Sequence, residues 1–230
     1  MKKLCVGLLT IVFALSFASC STNENELEAP QQSLLKSYKL KRDANGAYSI
    51  DYNVAENTNS ITHKNYTSST NEIHLSKTAV DSKDKYREVF PLENNKLKIG
   101  FFDAETGKRS SLSIEDENIT FARGNSNNGN FLKTYDLTLD EDGSIQLDFE
   151  VNSNIVTDFV YNEDLEIYEI HLSKGTSSEK VFSRSIEVPD NGILKIDFVN
   201  HKFSGRGTSD VVEKKPRVVL DGNSYASSSY

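Results

Sequence analysis

Ser37-Tyr-Lys-Leu-Lys-Arg-Asp-Ala-Asn-Gly46 and, ninety-seven residues later, Thr134-Tyr-Asp-Leu-Thr-Leu-Asp-Glu-Asp-Gly143 decide how this chain is read. The same shift lays Ile50-Asp-Tyr-Asn-Val54 over Leu147-Asp-Phe-Glu-Val151, and Glu72-Ile-His-Leu-Ser-Lys77 over an identical Glu169-Ile-His-Leu-Ser-Lys174. No gap is needed from 37 to 77, and 14 of those 41 positions are identical. Chance pairing gives roughly two or three, so the chain carries an internal duplication. After small shifts the match continues, with Pro91 over Pro189 and Leu97–Phe101 over Leu194–Phe198. A period this long is a whole small domain, not a solenoid unit.

Inside each copy the apolar period is two. Ile50, Tyr52 and Val54 alternate with Asp51 and Asn53, and Leu147, Phe149 and Val151 alternate with Asp148 and Glu150. Leu97, Ile99 and Phe101, then Leu194, Ile196 and Phe198, do the same. Such alternation predicts strands with one buried and one wet face. Asp43-Ala-Asn-Gly46 and Asp140-Glu-Asp-Gly143 fall between apolar runs, where Gly, Asn and Asp tolerate positive φ, and read as hairpin turns. The expected fold is all-β: two tandem duplicated β-sandwich domains over 37–123 and 134–230, with a linker at 124–133 that contains Gly124-Asn-Ser-Asn-Asn-Gly-Asn130. An immunoglobulin-like sandwich leads among the options, although the cysteine and tryptophan that mark that fold are missing. Packing of the duplicated halves into one larger body is the alternative left open.

Residues 1–36 are of another kind. Met1-Lys2-Lys3 is a short basic start, Val6 to Phe17 is an apolar stretch, and Phe17-Ala18-Ser19-Cys20 is a small-residue box ending in cysteine. The stretch is too short for a mature membrane-spanning helix and reads as a secretory signal over 1–19. Its spacing resembles a Gram-negative bacterial lipoprotein precursor. That resemblance covers about twenty residues and implies acylation of the Cys20 thiol (palmitate among the chains) with cleavage just before it. The implied address is the outer membrane, lipid-anchored and facing the periplasm or the cell surface, since Ser21 rather than an acid follows the cysteine. Glu24, Glu26 and Glu28 are similar to the export signal of surface-displayed lipoproteins; an ordinary solvated tether fits them equally well. Residues 20–36 then read as the lipidated cysteine and a flexible tether.

Composition removes several functions. The chain has 26 basic and 34 acidic side chains, a net charge of −8 that becomes −10 without Lys2 and Lys3. With no basic block it is a poor partner for nucleic acid, whose phosphates need Lys and Arg. Of the two cysteines, Cys5 leaves with the signal, so no disulfide framework or thiol nucleophile remains. No glycine loop for phosphate and no Gly-x-Ser-x-Gly elbow occurs. His63, His74, His171 and His201 show no H-x-x-x-H spacing, so zinc has to be assembled from distant strands or be absent; the expectation is no metal and no cofactor. The turns at Asp43 and Asp140 lack the later bidentate glutamate of a calcium loop.

One repeated strand stands out. If Ile73 and Leu75 face the core, Glu72, His74 and Ser76 share the other face, as do Glu169, His171 and Ser173 in the second copy. Three outward matches make this face a candidate ligand site or a structural strand, with at least one histidine expected to be buried and hydrogen-bonded. Tyr161, Tyr168, Tyr225 and Tyr230 are candidate outward rings for glycan stacking. The sequence therefore favours a non-enzymatic binding or structural module, anchored to a membrane through its lipid and meeting an unidentified protein or glycan. The alternative is a secreted hydrolase or glycan-binding protein whose site forms only in three dimensions.

Overall fold

The computed structural model describes residues 33–116, 131–202 and 211–222. The signal, Cys20, the acidic cluster, residues 124–130 of the expected linker, Tyr225 and Tyr230 lie outside them. The first copy supplies β1 (Leu35–Arg42), β2 (Tyr48–Val54), β3 (Thr58–Asn65), β4 (Thr70–Lys77), β5 (Lys85–Phe90), β6 (Lys96–Asp103) and β7 (Arg109–Glu115). The second supplies β8 (Leu132–Leu139), β9 (Ile145–Val151), β10 (Ile155–Asn162), β11 (Ile167–Lys174), β12 (Val181–Ile186), β13 (Ile193–Lys202) and β14 (Val211–Asp221). Among the described residues there is no helix.

These strands form a β-sandwich of two open sheets. One has six strands in the order β12-β9-β8-β1-β2-β5, and the other has eight in the order β10-β11-β13-β14-β7-β6-β4-β3. Both sheets run through both copies, so the halves do not form two separate sandwiches; among the described residues the single body that the sequence left open is the one observed. The cause is edge pairing. β1 pairs antiparallel with its own counterpart β8, and Leu40 faces Leu137, the residue equivalent to itself. β7 pairs antiparallel with its counterpart β14, where Ser113 faces Val219. Each pairing is self-complementary about a local two-fold axis, as in an isologous dimer. Each also covers a strand edge that an isolated copy would leave with unpaired backbone groups.

The core repeats as faithfully as the strands. Tyr38 and Tyr135, Ile50 and Leu147, Val54 and Val151, and Ile73 and Ile170 are all buried at equivalent places. The first copy stacks Tyr38 on Phe101 and Tyr52 on Tyr86; the second stacks Tyr135 on Phe198 and Phe149 on Phe182. Phe101 and Phe198 also meet Tyr52 and Phe149 edge-on, so one aromatic cluster per copy joins the two sheets. Both hairpin turns form as expected, with Gly46 at φ 75° and Gly143 at φ 83°. Asp43 accepts the amides of Asn45 and Ala47 at 2.8 Å, and this turn-closing work accounts for its carboxylate without calcium.

Two boundaries and one topology differ from expectation. Leu34 is fully buried and its amide donates to the Asp103 carboxylate at 2.7 Å, so the fold begins inside the expected tether. β8 begins at Leu132, inside the expected linker. The immunoglobulin strand order is not formed: β4, not β3, lies against β6, and that pair is parallel, as is β11 with β13.

One polar feature interrupts the core between the copies. Arg42 Nε donates to Asp116 Oδ2 at 2.6 Å, with the two side chains 1% and 3% exposed. The Tyr48 hydroxyl donates to the same oxygen at 2.8 Å and accepts from the Tyr135 hydroxyl at 3.3 Å. The second copy has Leu139 and Ile145 where the first has Arg42 and Tyr48. Burial works against the Arg42 charge, but the Asp116 carboxylate more than offsets it and holds the guanidinium above its ordinary pKa.

Candidate functional site

The repeated strand becomes β4 in one copy and β11 in the other, second from each end of the eight-stranded sheet. Ile73, Leu75, Ile170 and Leu172 point into the core and are buried. Alternation then sends Glu72, His74, Ser76, Glu169, His171 and Ser173 to the outer face. Each glutamate meets its histidine: Glu72 Oε2 lies 3.1 Å from His74 Nε2, and Glu169 Oε2 lies 3.3 Å from His171 Nε2. Ser76 and Ser173 follow on the same faces and are half-buried. The burial is the reverse of expectation. Both glutamates are 7% exposed, whereas the histidines are part-exposed, because neighbouring outer side chains close over the carboxylates.

What closes over them differs between copies. β3 and β4 pair so that His63 stands directly opposite Glu72. His63 Nε2 is 3.2 Å from Glu72 Oε2, the same oxygen that His74 approaches, and the two rings are 4.3 Å apart. The donor atoms of His63, Glu72 and His74 all lie within 4.8 Å of one another. The other carboxylate oxygen, Oε1, accepts from Asn65 Nδ2 at 3.0 Å. Asn65 is itself fixed, since its Oδ1 accepts the amide of Thr67 at 3.0 Å in the β3–β4 turn. His74 rests edge-on against Phe102, and the Arg109 guanidinium lies over that ring, 4.2 Å from its centre.

In the second copy Val160 takes the place of His63 opposite Glu169. Lys214, from β14, donates instead to Glu169 Oε1 at 2.8 Å, and this hydrogen bond holds the Glu169 carboxyl below its ordinary value. His171 Nδ1 lies 2.8 Å from Nε2 of His201 on β13. A ladder of charge then crosses the sheet from Glu169 to Asp197, Arg217, Glu115 and Lys96 on successive strands. Arg217 grips Asp197 with two hydrogen bonds of 2.7 Å. At the corresponding places the first copy has Gly100 and Ser111 beside Glu72.

Sequence reasoning missed His63 and His201 as site members. His63 had a usable signal, eleven residues before His74 across one hairpin; His201 had none, because β13 reaches β11 by a parallel pairing. Tyr161 and Tyr168, expected to face outward, instead stand opposite each other on the core-side face that Ile170 shares, 4.6 Å between ring centres, and Tyr168 packs against the core beside Phe159. Comparison with known protein families, with curated proteins and with solved structures finds no match to this chain.

Proposed function

We propose that this chain is a lipid-anchored, extracytoplasmic lipoprotein that acts as a non-enzymatic binding module, and that the outer face of its eight-stranded sheet receives the partner. The observation that carries the reading is the pair of acid–histidine clusters on that face. Glu72 with His74 and Glu169 with His171 occupy two-fold-related places on an open sheet surface, above an interior filled with aromatic and aliphatic side chains. A broad face with two related polar clusters fits a protein or glycan surface better than a small substrate, which needs an enclosing pocket. Cys20, the only cysteine left once the signal is removed, supplies the anchor.

Two experiments test this. Fractionation of cells carrying Cys20→Ala is expected to move the protein from the membrane to the soluble fraction; retention in the membrane at high salt would remove the anchor. Binding of the purified protein to a panel of glycans and outer-membrane proteins is expected to fall with His171→Ala and Glu169→Gln but not with Lys39→Ala on the other sheet. Hydrolysis of ester, peptide or glycoside substrates that disappears with Glu72→Gln or Glu169→Gln would replace this reading with the enzyme.

A further inference from the structure

We infer that the first copy holds a first-row divalent transition metal ion of the zinc class, bound by His63 Nε2, His74 Nε2 and Glu72 Oε2. The inference names an occupant for one end of the face proposed above, and it rests on that face being accessible, not on any macromolecular partner.

The donor set is two imidazole nitrogens and one carboxylate oxygen, which suits zinc and its neighbours and is poor for calcium or magnesium. The spacing also fits. Metal–ligand bonds of about 2.0–2.2 Å place neighbouring donors about 2.9 Å apart at right angles and about 3.4 Å apart at a tetrahedral angle. The two nitrogens stand 3.2 and 3.1 Å from the shared oxygen, between these values. Both imidazoles turn the same nitrogen toward one point instead of toward separate partners.

The support around the donors has the form that metal sites need. Two of the three donors sit on one strand and the third directly across a hairpin, so backbone hydrogen bonding fixes their separation. Asn65 holds Oε1 and leaves Oε2 aimed at the histidines, which is the outer-shell contact that orients a ligating carboxylate. Phe102 fixes the plane of His74. His63 and His74 side chains are 44% and 36% exposed, so an ion has a path in and water can fill the remaining coordination positions.

The duplication provides an internal control. The fold stands with Val160 where His63 is, so architecture does not require that histidine. In the second copy Lys214 already neutralises Glu169, and a cation there would have to displace it. In the first copy the neighbouring strands carry Gly100 and Ser111 beside Glu72, and two histidines meet the one carboxylate oxygen. The site is therefore expected in one copy only.

The test is Zn2+ titration of the full, lipidated protein in detergent by calorimetry, with Co2+ absorption as a second readout of nitrogen and oxygen ligation. One Zn2+ per chain is expected, with a dissociation constant of about 10 µM or tighter. His63→Val, which copies the second repeat, is expected to weaken binding at least about tenfold, as are His74→Ala and Glu72→Gln. His171→Ala leaves binding unchanged, and thermal melts without metal confirm that each variant is folded. No Zn2+ binding by the folded wild type, or binding that His63→Val leaves intact, overturns the assignment. Absence of any glycan or protein binding by the wild type, with intact Zn2+ binding, would instead count against the partner reading alone, so the two proposals fail separately.

Discussion

Replacement of Arg42 by leucine, the residue that the second copy uses at that place, tests whether the charge buried between the copies is stabilised by pairing alone. Removing Arg42 strands Asp116 in a site where its side chain is 3% exposed. Breaking a buried pair in this way costs about 3–5 kcal/mol, because the remaining charge has lost its counter-ion and cannot reach water. The Tyr48 hydroxyl still donates to Asp116 at 2.8 Å, so the lower end, about 3 kcal/mol, is expected for Arg42→Leu. Asp116→Asn leaves a buried guanidinium against a neutral amide and is expected to cost a similar amount. The double variant buries no charge, keeps an oxygen for Tyr48, and presents the same leucine as the other half. It is expected to recover to within about 1–2 kcal/mol of the wild type, since well-packed apolar replacements of buried ion pairs are often neutral. Urea denaturation of the four proteins at neutral pH measures the cycle, and a cost of about 3 kcal/mol lowers Tm by about 6–12 °C in a domain this size. Additivity within about 0.5 kcal/mol, or a cost below about 1 kcal/mol for Arg42→Leu, would refute the claim that the two side chains depend on each other.

Thr58 is fully buried, its Oγ1 has no hydrogen-bond partner among the described residues, and the second copy has Ile155 there; Thr58→Val is therefore expected to raise stability by about 1 kcal/mol in urea melts. Burial pushes the Tyr38, Tyr48 and Tyr135 hydroxyls above their ordinary pKa of about 10. Raised folded values stabilise the protein fully below about pH 10 and lose that contribution as pH rises further, so absorbance at alkaline pH should show these three rings ionising only together with unfolding. Independent ionisation of all ten tyrosines before the backbone signal changes would contradict their burial. For Glu169 the sign is opposite: Lys214 depresses its pKa, so its stabilisation is present above the ordinary value of 4.5 and is lost as pH falls below it. Lys214→Ala should move the Glu169 carboxyl upward in a carbon-detected NMR titration and should weaken the acid dependence of stability; an unmoved resonance would mean that the 2.8 Å contact does not persist in solution.

What the sequence carried openly was local. Alternation with period two placed Ile50, Tyr52 and Val54 in the core because a strand's geometry converts side-chain order directly into two faces. The Asp–Gly turns were readable because Gly46 and Gly143 occupy backbone conformations that few other residues adopt cheaply. Relations between distant strands were not readable in this way. Pairing of β1 with β8 depends on both being edge strands that repeat one pattern, and that pattern is the same whether the partner lies in this chain or in another copy of it. The duplication showed that an equivalent edge existed, not that the two edges would meet.

The candidate site lies where those two kinds of legibility separate. Glu72 and His74 were found because they share a strand with their repeat, but His63 belongs to β3, whose outer sequence Asn59, Ile61 and His63 lacks a clean polar face. Its register is set by the turn Tyr66–Ser69, which contains no Gly and reaches positive φ at Ser69 instead. Had that four-residue turn been assumed, counting back from Glu72 would have put His63 directly across the hairpin. A shift of one residue would send His63 to the buried face and place Lys64 opposite the carboxylate, turning a two-histidine cluster into an ion pair like the one Lys214 makes in the other half. The chemistry of this face thus depends less on the repeated hexapeptide that drew attention to it than on the unrepeated strand beside it, and divergence between the copies is where a distinct function had room to arise.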